Sequence, residues 1–96
     1  MSRDILVVDD ELDIRRLIAG ILDDEGYKTR LASNSTEALN LIAQKLPAIV
    51  ILDIWLQDSP MDGIQLLTNI HQEYPDLPVI MISGHGNIET AVNSIR

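Results

Sequence analysis

Three stretches of this chain are apolar without interruption: Ile5-Leu6-Val7-Val8, Ala48-Ile49-Val50-Ile51-Leu52 and Val79-Ile80-Met81-Ile82. A run with no polar alternation predicts a strand covered on both faces, the habit of parallel sheets. Each run stops at a polar residue, at Asp9-Asp10, at Asp53 and at Ser83. A carboxylate cannot stand unpaired along a covered strand, so these acids belong at the strands' carboxyl ends, where open α/β sheets place their ligand crevices.

Between the runs the period changes. From Glu11 to Glu25 the residues Ile14, Leu17, Ile18, Ile21 and Leu22 follow helical spacing, and Gly26 supplies the stop. Tyr27-Lys28-Thr29-Arg30-Leu31 alternates β-prone with basic residues, which predicts a half-exposed edge strand. Asn34 with Glu37 predicts a capping box for a helix carrying Ala38, Leu41 and Ile42 inward, and Pro47 closes it. A long turn runs from Ile54 to Met61; Asp62 with Gln65 then caps a helix whose Ile64, Leu67 and Ile70 are expected to face the core. After the run ending at Ile82, Gly84-His85-Gly86 is a connector and Asn87 caps a last expected helix with Ile88, Ala91, Val92 and Ile95. The order is βαβαβαβα with right-handed crossovers, an α/β doubly wound parallel sheet. The fourth strand is left with nothing to cover its outer edge.

Composition narrows the picture. At 96 residues the chain is read as one domain, residues 1–96, incomplete at its C-terminal side. Hydrophobic residues make up 46% and aromatic ones 3%, with no Phe, so the core is aliphatic. A formal charge of -8 argues against a grip on nucleic acid, and Arg15-Arg16 is too small a cluster to provide one. There is no Cys, hence no disulfide or thiolate metal site. The apolar runs are far short of a membrane span and the start has no signal-like stretch, so a cytoplasmic location is expected.

Asp9, Asp10 and Asp53 end strands that should be neighbours, so their carboxylates are expected to converge, and their repulsion to raise at least one pKa unless a cation is present. Anionic oxygen ligands with room for water suit Mg²⁺. Beside such an ion a rim carboxylate can attack a phosphoryl group and become an aspartyl phosphate, with Ser83 and the N–H groups of Ile54 and Trp55 placed to bind the phosphoryl oxygens. Each residue alone has a plainer role: an Asp at a strand end is often a turn or cap residue, and Asp9-Asp10-Glu11 suits a helix N-terminus. His71 reads as a surface residue, and His85, near the rim between glycines, is a secondary candidate.

The motifs Val7-Val8-Asp9-Asp10-Glu11, Leu52-Asp53, Met61-Asp62-Gly63 and Met81-Ile82-Ser83-Gly84-His85-Gly86 together resemble the receiver domain of two-component response regulators. The wording from Ser83 to Val92, with Leu52-Asp53-Ile54-Trp55-Leu56, is similar to the nitrogen-regulation, NtrX-like type. That resemblance implies the flavodoxin-like, CheY-like receiver fold with strand order 2-1-3-4, the fifth β/α unit missing. It implies Asp53 as phosphoacceptor, Mg²⁺ held by Asp10, Asp53 and the Trp55 carbonyl, Asp9 acting through a bound water, and Ser83 as the switch hydroxyl. It further implies a sensor histidine kinase as phosphodonor, and ATPase and DNA-binding output domains beyond this chain. On this reading the domain is a regulatory phosphoacceptor, an enzyme only toward itself.

Two departures from the family pattern matter. The loop from Asp53 to Gly63 is longer than the commonest form, and the fifth strand with its lysine is absent; Lys28 and Lys45 lie on an edge strand and at a helix end, where neither can replace it. Poor phosphorylation is therefore expected, together with a homodimer or segment-exchanged oligomer that covers the fourth strand. Two rival readings are a degenerate receiver serving as a dimerisation module and a Mg²⁺-dependent phosphohydrolase with an aspartyl nucleophile. The second rival needs a catalytic acid at position 55, where this chain has Trp.

Overall fold

A computed structural model describes residues 4–82 and the backbone of residues 88–90. The elements run β1 (Asp4–Val8), α1 (Leu12–Asp24), β2 (Lys28–Ala32), α2 (Ser35–Gln44), β3 (Ile49–Asp53), α3 (Gly63–Glu73), β4 (Val79–Ile82) and β5 (Ile88–Thr90). The sheet order is β2-β1-β3-β4-β5. Its first four strands are parallel, in the order 2-1-3-4 expected of the sequence.

In-register pairing explains why uninterrupted runs were needed. Leu6, Val50 and Val79 lie abreast on one face, as do Val8, Leu52 and Met81, and all six are buried. α2 and α3 close that face with Ala38, Ile42, Leu66, Leu67 and Ile70. Ile64, expected inward, is instead 50% exposed, while Leu66 is buried. With Leu67 and Ile70 fixed on the core, position 64 falls at the border of the stripe and 66, which completes the turn, falls inside it.

Among the described residues, the opposite face is only partly covered. α1 has the apolar stripe its spacing predicted, yet none of its residues is buried, and Leu17 and Ile21 are 60% and 56% exposed. A groove of about 330 Å³ remains between α1 and the sheet, lined by Ile5, Leu22, Tyr27, Ile49, Ile51 and Ile80 among others.

Local signals set the boundaries. Gly26 takes φ +89, the left-handed stop after α1 that a Cβ disfavours. Asp62 and Gln65 form the reciprocal capping box at α3. At α2 the box is only half made: Asn34 Oδ1 accepts the Glu37 N–H at 2.9 Å, but the Glu37 carboxylate turns to the N–H and Oγ of Ser33. At the other end of the sheet Asp4 meets Arg30 and Lys45 at 3.5 and 3.3 Å, so Lys45 is engaged far from the strands' carboxyl ends.

The expected helix from Asn87 is corrected at its start, because Ile88–Thr90 is a strand antiparallel to β4, pairing Ile82 with Ile88 and Ile80 with Thr90. The β-branched Ile88 and Thr90 suit that state, and an open strand edge offers N–H and C=O groups that a local helix cannot satisfy. The edge of β4 expected to be bare is therefore occupied over these three residues. Ser83, His85 and the rest of the expected last helix lie outside the described residues.

Candidate functional site

β1 and β3 are neighbours in register, Val8 against Leu52, so the residues that follow, Asp9 and Asp53, leave the sheet side by side. Oxygens of Asp9, Asp10 and Asp53 all come within 4.8 Å of one another. Asp9 and Asp53 are buried and Asp10 is half-buried.

Each acid is held by local bonds. Asp9 Oδ1 accepts the Glu11 N–H at 2.8 Å, which fixes the turn into α1. The Asp9 N–H donates to the Ala32 carbonyl at 3.1 Å, extending the β1–β2 ladder by one bond. Arg15 Nη1 donates to the Asp9 carbonyl at 2.6 Å, a contact the sequence did not mark because it joins positions six apart. Asp53 Oδ1 accepts the Trp55 N–H at 3.0 Å, and the Ile54 N–H donates to the Ile82 carbonyl at 2.9 Å, so the start of the loop after Asp53 is tied both to the acid and to β4. The Trp55 indole is 60% exposed beside this rim.

Crowding of like charges in a buried corner has an electrostatic consequence. Burial pushes the Asp53 carboxyl up to about 6; the Trp55 N–H opposes the shift, and the neighbouring Asp9 and Asp10 add to it. Asp9 is raised as well, first by burial, with the Glu11 N–H and the Arg15 charge opposing. A cluster of acids that repel one another while their oxygens converge is a donor set suited to a hard divalent cation.

Gly63 has a steric role that its place in Met61-Asp62-Gly63 does not reveal. A Cβ built there would stand 2.7 Å from both the Cα and the carbonyl oxygen of Ile54 and would also clash with the Asp53 carbonyl. The start of α3 thus lies directly against the backbone that follows the acid. Gly63→Ala is expected to push these segments apart and to destabilise the fold by roughly 1–3 kcal/mol, as overpacking does. Urea melts of the two proteins measure this, and equal midpoints would refute the close approach.

The site therefore unites Asp9, Asp10 and Asp53, with Trp55 at its rim, as the sequence led us to expect; Ser83 and His85 lie outside the described residues. A family model described as the response regulator receiver domain matches residues 5–96. A putative NtrX-like response regulator of Rickettsia bellii is 59% identical over 93 residues, covering 97% of this chain and 20% of that protein. The nitrogen assimilation regulatory protein NtrX of Azorhizobium caulinodans is 57% identical over 96 residues, covering 100% of this chain and 21% of that protein. Among solved structures, the receiver domain of NtrX from Brucella abortus superposes with a TM-score of 0.85 at 61% identity, covering 97% of this chain and 78% of that one. The chain spans about a fifth of the length of the curated relatives it matches.

Proposed function

Because the chain belongs to the response regulator receiver domain family, we propose that Asp53 accepts a phosphoryl group from a sensor histidine kinase and that the domain signals the change to output domains elsewhere in a longer protein. The observation that carries this is the convergence of the oxygens of Asp9, Asp10 and Asp53 within 4.8 Å at the carboxyl ends of two adjacent parallel strands. In this reading Asp10, Asp53 and the Trp55 carbonyl hold Mg²⁺, and Asp9 acts through a bound water. The ion supplies charge neutralisation for the phosphoryl oxygens.

The chain's residues do the rest. At neutral pH, with a pKa of about 6, the Asp53 carboxylate is ionised and nucleophilic. Its oxygen attacks phosphorus as the bond to the donor imidazole breaks, and the imidazole nitrogen leaves with the electron pair. The Trp55 N–H, which already holds the carboxylate, fixes its direction of attack. Ser83 is the proposed switch hydroxyl. The domain acts on no substrate but itself, works in the cytoplasm and makes no direct contact with nucleic acid or membrane. Regulation of nitrogen assimilation is the whole-protein role suggested by the name of the Azorhizobium relative, and transcriptional control is the form proposed for it.

Trp55 makes the site testable. Titration with Mg²⁺ is expected to change its fluorescence, and beryllofluoride, a phosphoryl mimic, to change it again only when Mg²⁺ is present. Silence to both ions would leave the dimerisation-module reading ahead.

Self-association would use a different feature from the β4 edge. β5 covers part of the β4 edge, whereas among the described residues α1 leaves Leu17 and Ile21 exposed and a groove lined by apolar residues lies between α1 and the sheet. A second copy covering it would give a concentration-dependent dimer in light scattering, reduced by Leu17→Glu. A monomer at high concentration would dismiss it.

A further inference from the structure

The two halves of the acid site come from separate turns, and both are bonded to one short segment, the junction between β2 and α2. On one side the Asp9 N–H donates to the carbonyl of Ala32, the last residue of β2. On the other, Ser35, the first residue of α2, exchanges bonds with the loop after Asp53. The Ser35 N–H donates to Ser59 Oγ at 2.8 Å, and Ser35 Oγ accepts the Met61 N–H at 3.1 Å.

This exchange differs from ordinary capping. Asn34 already serves as the cap of α2, accepting the Glu37 N–H, so the Ser35 hydroxyl is released from that duty. The Ser35 N–H is one of the donors a helix start cannot satisfy internally, and its acceptor comes from a loop 24 residues away. Ser35 is 1% exposed, so its end of each bond is sheltered from competing water. Pro60, between the two partners, has a fixed φ and no N–H of its own, which keeps Ser59 and Met61 at a set spacing. Just before them Asp58 takes φ +51, the left-handed region that Asp tolerates better than most non-glycine residues, which makes the turn into Ser59. Upstream, Leu56 is buried in the core. The loop is thus anchored at Leu56 and at the serine pair, on the side of Trp55 away from Asp53.

We propose that Ser59 and Ser35 are positioning residues that brace the loop after Asp53 against the same β2–α2 junction that holds Asp9, and so set the Trp55 backbone relative to the acids. The inference rests on the reading of the site as a Mg²⁺ centre. The two acidic turns share one abutment, so a slack loop would misplace one donor while leaving the carboxylates in place.

The test compares Ser59→Ala, Ser59→Thr and Thr68→Ala in the full chain, with MgCl₂ as the probe and Trp55 fluorescence as the readout. Thr68 is the control, since its hydroxyl bonds the Ile64 carbonyl within α3 and takes no part in the hydrogen bonds that hold the loop. Ser59→Ala is expected to raise the Mg²⁺ dissociation constant roughly three- to tenfold, the loss of about one hydrogen bond. Ser59→Thr, which keeps the hydroxyl, and Thr68→Ala should bind as the unmodified chain does. Hydrogen exchange supplies a second readout that does not depend on metal: the Met61 amide should exchange faster in Ser35→Ala while the amides of α2 beyond its first turn do not. Unchanged Mg²⁺ binding in Ser59→Ala, beside a responsive unmodified chain, overturns the brace and leaves the site reading intact. If the unmodified chain itself ignores Mg²⁺, the site reading fails and the inference falls with it.

Discussion

Asp53→Asn is expected to abolish phosphoryl acceptance and, in chelator, to make the protein melt at a higher temperature than the unmodified chain. The first effect removes the proposed nucleophile. The second follows from the electrostatics of the corner. The Asp53 carboxyl is 7% exposed, and burial, with Asp9 and Asp10 nearby, lifts it from an ordinary value of 3.8 to about 6. At pH 7 it is nonetheless ionised, so the fold carries an unfavourable charge there. Two pKa units correspond to at most about 3 kcal/mol; allowing for relaxation, relief of on the order of 1–2 kcal/mol is expected. For a domain of this size that is a rise of roughly 5–15 °C. The amide keeps an oxygen to accept the Trp55 N–H, so the loop bond survives the change. Calorimetry in chelator decides the matter: a variant melting at or below the unmodified chain would show that the acids do not strain the fold. Intact-mass measurement after incubation with a small phosphodonor decides the first effect.

That this corner was visible before any coordinates follows from one constraint. A strand covered on both faces tolerates no charge within it, so the acids at positions 9, 10 and 53 could only stand at strand ends, and parallel strands bring like ends together. Features that depended on distant partners were not visible. Spacing identified the α1 stripe but not what covers it, because periodicity describes an element and not its neighbour. Glu37 matched the box pattern but bonds Ser33, an option the pattern does not encode. Ile88–Thr90 has helical periodicity downstream of a good cap, yet the unsatisfied edge of β4 claims it, a tertiary demand that outweighs propensity. The Ser35–Ser59 exchange spans 24 residues and the Gly63 contact depends on where α3 lands, so neither leaves a local signature.

The second large effect is a pH-dependent stability difference that Mg²⁺ reverses. For an acid whose pKa is higher folded than unfolded, the folded state binds more protons between the two values, so stability falls as pH rises through that window. For Asp53 the window runs from about 3.8 to about 6. Asp9, raised in the same direction, adds to the slope, while Glu37, whose carboxylate is held below its usual range by the Ser33 bonds, works against it. Other carboxylates titrate in the same range, so the informative quantity is the difference between the unmodified chain and Asp53→Asn. In chelator that difference should be near zero below pH 4, open in favour of the variant between pH 4 and 6, and level off above pH 7. Saturating Mg²⁺ at pH 7 should invert it, because an ion that binds only the folded acids stabilises by about 2.7 kcal/mol at a hundred times its dissociation constant. Binding should also release protons near pH 6, where Asp53 is partly protonated, and release fewer at pH 8. A difference that stays flat across this range, or an order of stabilities that Mg²⁺ leaves unchanged, would mean that Asp53 is neither strained by its neighbours nor relieved by a metal. In that case the convergence of the three acids would be a feature of the turns alone.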